Sequence, residues 1–192
     1  MGGCLCLDFV NTVGGRDAAG APLREKLAAY PDLLVWSAAA GDRRAAASLV
    51  PLARRNPAAA AAAMDRAIHL REALYRIFRC TMDQRRPKEP DLALLRDHLA
   101  GARAHQVFAA QGRAFAWIFP HPSQSFDRVL WPVALSAAGL LASPDLPKVR
   151  QCAGGDCGWL FLDTSRNRRR QWCDMRDCGN RAKVRRFREN RP

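Results

Sequence analysis

The sequence predicts a mainly α chain with one small β-hairpin, an α+β class, in which a helical N-terminal domain is followed by a compact cysteine-bearing unit. Three observations predict it. Apolar residues recur at spacings of three and four through most of the N-terminal three-quarters. In one stretch, around Gly112, the period falls to two. Four of the seven cysteines form two close pairs near the C-terminus.

Taken in order, Leu5–Val13 (LCLDFVNTV) is short and apolar but interrupted by Asp8, Asn11 and Thr12, so it fits a strand or the first turn of a helix. A helix follows over Tyr30–Ala40, with Leu33, Leu34 and Trp36 inward and Gly41 as its stop. A second helix covers Asp42–Leu49, and the alanine run Ala58–Ala63 reads as helix or linker. Leu70, Leu74, Ile77, Phe78 and Met82 then mark the clearest helix, stopped by Pro87 and Pro90. Asp91–Ala104 is the next, with Leu92, Leu95 and Leu99 inward.

Val107–Ala110 and Ala114–Phe119 flank Gln111-Gly112-Arg113 as a β-hairpin. Phe115, Trp117 and Phe119 alternate as in a half-buried strand, and Pro120 and Pro122 close it. Ser123–Leu141 returns to helix, with Phe126, Leu130, Val133, Leu140 and Leu141 inward and a kink expected at Pro132. Ser143 to Pro147 is a short, stiff linker. It places a helical domain at 1–146 and a small unit at 147–192.

The chain has 192 residues, enough for one ordinary domain and an appendage, and a formal charge of +13. From Lys148 onward 13 Lys/Arg face 5 Asp/Glu, a net of +8. That balance points to a polyanionic partner, above all nucleic acid. Met1–Val10 has no basic start and contains Asp8, so no secretory signal is read. No run of about 18 apolar residues exists, so no membrane span is expected. A reducing cytoplasm is the expected compartment, and there paired cysteines read as metal ligands before disulfides. Cys4, Cys6 and Cys80 read as buried free thiols.

The pairs are spaced Cys152-x4-Cys157-x15-Cys173-x4-Cys178. Two local turns brought together by an intervening hairpin give four thiolates, the donor set of a structural Zn²⁺ site. An iron–sulfur cluster is the competing occupant. Four thiolates leave zinc no open position, so a catalytic ion is not expected. Trp159–Asp163 reads as a strand and Thr164–Arg170 as a basic loop. Cys178 opens a helix toward Asn190, with Asp174 and Asp177 favourable at its start and Val184 and Phe187 packed inward. The layout resembles a treble-clef zinc finger. So small a core folds on its metal, and metal loss is expected to unfold only this tail.

The segment Cys173-Asp174-Met175-Arg176-Asp177-Cys178-Gly179-Asn180-Arg181-Ala182-Lys183, with Phe161–Ser165, the arginine run and Trp172, resembles the CGNR zinc finger. Leu5–Thr12 resembles the opening of the ABATE domain that usually precedes this finger. Position 174, often serine in that pattern, is Asp here. The chain starts almost at the N-terminal motif, which leaves room for an upstream segment that this sequence lacks. The resemblance implies a bacterial, stress-induced transcription regulator that binds double-stranded DNA.

Two sets of residues are candidates for that contact. Arg166, Arg168, Arg169 and Arg170 lie on the loop, and Arg181, Lys183, Arg185, Arg186 and Arg188 on the helix. The loop is expected to hold phosphates and the helix to lie near a groove. Asn180 reads as a backbone-bonding residue beside the knuckle, and Trp159 and Trp172 as packing over the metal site. Asp8, Asn11 and Thr12 are candidates for the wall of a small-molecule effector pocket, or else for capping and turn formation. His69, His98, His105 and His121 show no ligand spacing, and no nucleophile motif or phosphate loop occurs, so no enzyme is expected. A homodimer fits the short site one finger covers. The alternative is an RNA-binding module, or one that docks an acidic protein.

Overall fold

The computed structural model describes residues 2–120 and 124–189. The expected helix start at Ser123, the hairpin stop at Pro122, the reading of His121 and the helix end at Asn190 lie outside the described residues.

The chain is mainly helical, with two small antiparallel hairpins. The N-terminal stretch that fitted strand or helix is helical, α1 (Leu5–Val10). α2 (Tyr30–Ala39) is capped by Asp32, whose carboxylate accepts the amides of Ala28 and Ala29. α3 (Arg43–Arg55) starts on the Asp42 side chain and continues past Leu49, with Pro51 inside it. α4 (Pro57–Met82) absorbs the alanine run, so that run is helix and not linker.

Two prolines act differently from the sequence expectation. Pro90 lies in the first turn of α5 (Glu89–Ala104), and Pro132 in the first turn of α6 (Trp131–Leu141). A missing N–H costs nothing there, so Pro132 starts a helix where a mid-helix kink was expected. A 3₁₀ turn, Phe126–Val129, precedes it.

β1 (Val107–Gln111) and β2 (Ala114–Ile118) pair in register from Val107↔Ile118 to Gln111↔Ala114. Gly112, at φ +61°, makes the tight turn. The expected half-buried aromatic face is exposed instead: Phe108, Phe115 and Trp117 are 60%, 68% and 61% accessible. Alternation found the correct face, but that face stacks on itself. Phe108 lies 5.4 Å from Phe115 and 5.3 Å from Trp117. Phe119, past β2, reaches the body, 5.2 Å from Trp131.

α4 is the central beam. Its Leu70, Leu74, Ile77 and Phe78 are fully buried among Leu7, Phe9 and Val10 of α1 and Val133 and Ala137 of α6. Each such side chain contributes about 1.5–3 kcal/mol of burial. The same core continues into the C-terminal unit. β3 (Val149–Gln151) and β4 (Leu160–Leu162) pair antiparallel, and Val149 and Leu160 belong to the helical core.

Polar contacts weld that seam. Asn11 Oδ1 accepts the Leu160 amide at 2.9 Å, and its Nδ2 donates to the Leu160 carbonyl at 2.8 Å. The Leu162 amide donates to the Gly2 carbonyl at 2.8 Å, and Trp159 Nε1 to the Val13 carbonyl at 3.0 Å. Gly15, at φ +128°, comes so close that a Cβ would sit 2.1 Å from the Asp156 carbonyl oxygen.

Beneath the seam lies a buried charge network. Arg16 and Arg71 are each 1% exposed. Arg16 bonds Glu72 at 2.6 Å, while Arg71 bonds Glu25 at 2.6 Å and Glu72 at 2.9 Å. The Arg16 guanidinium also lies 3.8 Å over the Tyr75 ring, whose hydroxyl accepts from Gln151 of β3 at 3.4 Å. Burial opposes the charge on Arg71, but its bonds to Glu25 and Glu72 outweigh burial and raise its pKa. Burial likewise pushes Glu25 up, and Arg71 with the Lys26 and Leu27 amides holds it below its ordinary range.

Arg71→Met should therefore cost about 3 kcal/mol, since it strands the Glu25 carboxylate and leaves Glu72 with Arg16 alone. In urea unfolding the double variant Arg71→Met, Glu25→Gln should lose less than the two single losses combined, by about 1 kcal/mol or more. Strict additivity would contradict the network.

Candidate metal centre and basic face

The first knuckle, Cys152–Cys157, caps the β3–β4 hairpin. The second is reached through the basic loop and enters a wide turn, Met175–Gly179, continued by α7 (Asn180–Glu189). The Asp174 carboxylate accepts the Arg176 amide at 2.7 Å. Aspartate thus makes the backbone contact that a serine could make at this position.

The four sulfurs lie within 4.8 Å of one another, and all four cysteines are buried. Cys173 Sγ is 3.6 Å from Cys157 Sγ and 3.7 Å from Cys178 Sγ. Tetrahedral zinc with Zn–S of about 2.3 Å sets sulfurs about 3.8 Å apart. Donors surround the sulfurs. The amides of Gly154 and Cys173 point at Cys152 Sγ at 3.5 and 3.3 Å, and Arg181 Nη2 at Cys178 Sγ at 3.2 Å. Trp159 and Trp172 pack against the cluster.

Hydrogen bonds from the Cys157 and Cys173 thiols, with two amides, hold Cys152 far below its ordinary value. The bonds to Cys152 push Cys157 and Cys173 up. A bound dication would hold all four sulfurs as thiolates. The site is suited to one zinc ion held by Cys152, Cys157, Cys173 and Cys178.

The basic loop is organised by Asp163, which in sequence ends a predicted strand and opens no predicted contact of its own. This buried carboxylate accepts the Ser165 amide and hydroxyl and, at 3.0 Å, the Arg170 amide. The Ser165 hydroxyl and these amides hold it below the usual carboxylate range. The Asp-x-Ser spacing was the available signal. Arg166, Arg168 and Arg169 are exposed on the loop. Arg168 sits at φ +50°, a left-handed conformation.

Arg170 differs from the expectation. Its guanidinium donates to the Trp172 carbonyl at 2.8 Å and to the Cys173 carbonyl, and lies 4.6 Å over the Phe161 ring. It ties loop to knuckle. Arg181 is also engaged, by Asp177 at 3.1 Å and by the Cys178 sulfur. Lys183, Arg185, Arg186 and Arg188 are exposed on α7. Val184 and Phe187, expected inward, are exposed too, because α7 has no buried residue. Asn180 Nδ2 donates to the Arg176 carbonyl at 3.0 Å, a backbone contact beside the knuckle as expected.

Asp8, Asn11 and Thr12 each bond backbone in the structure, which fits the capping and turn alternative offered for them. Asp8 accepts the Gly2 amide at 2.8 Å, Asn11 holds Leu160, and the Thr12 hydroxyl donates to the Phe9 carbonyl at 2.7 Å.

Comparison with known families decides the lineage. The model of the ABATE family, described as "Putative stress-induced transcription regulator", matches residues 3–144. The chain belongs to the ABATE family. The model of the CGNR zinc finger matches residues 148–191, the segment that holds the four thiols. No curated protein matches the chain. Among the described residues of this ABATE protein no helix is long and apolar enough to cross a membrane.

Cobalt(II) loading tests the CGNR ligand set. One equivalent should give the visible bands of a tetrahedral, all-thiolate ion, and Cys178→Ser should shift and weaken them. Bands unchanged by that substitution would place the ion elsewhere.

Proposed function

We propose that the chain is a zinc-containing, DNA-binding transcription regulator of bacterial stress responses, acting in the cytoplasm and without a catalytic step of its own. One observation carries the reading. Among the described residues Arg166, Arg168, Arg169, Lys183, Arg185, Arg186 and Arg188 have no acidic partner. Several arginines of the helical part, by contrast, are paired, as Arg16, Arg71, Arg76 and Arg128 are. Clustered cations left unneutralised await an external polyanion.

The two sets divide the work. The loop, with its backbone fixed by Asp163, holds phosphates. α7 presents a helix of ten residues with cations along its length, of a diameter that the major groove admits. Two copies would read an inverted repeat, which makes a homodimer the working assembly.

A second reading draws on Val184 and Phe187, exposed among the cations of α7. Apolar side chains in that setting also suit an RNA loop or an acidic protein surface. Selection from random duplex with zinc-loaded protein separates the two. A recovered motif supports the regulator, and salt-sensitive binding without a motif supports the second reading.

The loop has its own test. Arg168→Asn with Arg169→Ala should flatten the dependence of log K on log salt by about 0.9 for each phosphate no longer neutralised, so by roughly 1.8. Asparagine is chosen because it tolerates positive φ. An unchanged slope in a variant that still binds zinc would remove the loop from the interface.

A further inference from the structure

The helical part carries a second concave site, away from the metal. α2, α3 and the first turns of α4 border a cleft of about 830 Å³. That lies within the range of small-molecule sites, about 300–1,000 Å³. Buried Leu34, Ala46, Ala60 and Met64 form an apolar floor. Val35 and Val50 stand on its walls and remain 71% and 39% exposed, which is costly for side chains this apolar.

The rim is charged. Arg43 and Arg54 border the cleft, and neither has an ion-pair partner among the described residues. Asp65 is the one acidic side chain there, so the rim is net positive. Arg43 opens α3, the end of a helix where a cation is disfavoured, so helix stability does not account for it. An apolar floor beneath a cationic rim complements a molecule with a hydrocarbon body and one anionic head. It does not suit a nucleic acid, which would find no polar partner on the floor. A second copy of the chain would bring two positive rims together.

We propose that this cleft binds an apolar organic acid, an acyl or aryl carboxylate, with its hydrocarbon on the floor and its carboxylate against Arg43 or Arg54. The site is independent of the nucleic-acid reading. Its occupant would rest on α4, the helix that farther along carries Arg71, Glu72 and Tyr75 at the seam.

The test uses the full, zinc-loaded chain and the fluorescent sulfonate 1-anilinonaphthalene-8-sulfonate, displaced by decanoate, with decanol as the neutral comparator. Decanoate should displace the dye about tenfold or more better than decanol. Arg43→Gln with Arg54→Gln should remove that preference and leave decanol unchanged. Ala47→Trp, at an exposed position on the cleft, should abolish displaceable binding. If that variant melts below wild type, Ala61→Leu, also exposed there, is read in its place. Three results would each overturn the proposal: no displaceable binding by the wild type, equal affinity for acid and alcohol, or wild-type binding by the filled cleft. Dimerisation that Ala47→Trp abolishes would also overturn it, by assigning the cleft to a second copy.

Discussion

A hairpin with three residues on each strand does not persist alone in water. The β3–β4 ribbon persists because the Asn11 carboxamide bonds both the amide and the carbonyl of Leu160, completing an edge that would otherwise be open. Leu160 then points into the core that α4 organises. Metal knuckle, basic loop and α7 are all built outward from this ribbon, so their placement depends on the seam that Asn11 shares with the Leu162–Gly2 and Trp159–Val13 bonds. The buried Arg16–Glu72 and Arg71–Glu25 pairs hold the loop after α1 against α4. Buried pairs of this kind add little net stability, but they tolerate only one arrangement of the segments they join.

Metal and arginines play complementary parts. Zinc with four thiolates carries about −2 by charge counting. The amides of Gly154 and Cys173 and the Arg181 guanidinium offset it. Arg170 and Asp163 freeze the loop backbone. Among the described residues the cations that remain on the loop and on α7 have no ion-pair partner, whereas Arg170 and Arg181 are bonded within the finger. In sequence all nine look alike.

What was legible in the sequence was local. Two cysteine pairs and their spacing specify the metal site because ligand geometry is set by short turns. Leu70, Leu74, Ile77 and Phe78 reveal α4 because one helix face repeats without reference to neighbours. Contacts between distant segments were not legible. Asn11 faces Leu160 across the whole fold, and its residue type suits a cap or a pocket wall equally well. The hairpin aromatics and Val184 with Phe187 showed the spacing of a packed face, but spacing does not say whether anything lies opposite. Pro132 starts a helix where a kink was expected, because a proline does one or the other according to where the preceding turn ends.

Hydrogen exchange before and after zinc removal tests the welded seam most directly. If the finger and the helices share one core, chelation should raise exchange beyond the cysteine unit, at the end of α1 and through residues 13–25, together with β3 and β4. Protection that falls only within residues 152–189, with α1 and residues 13–25 unchanged, would mean that the finger is a separable appendage and that the seam does not hold it to the helices.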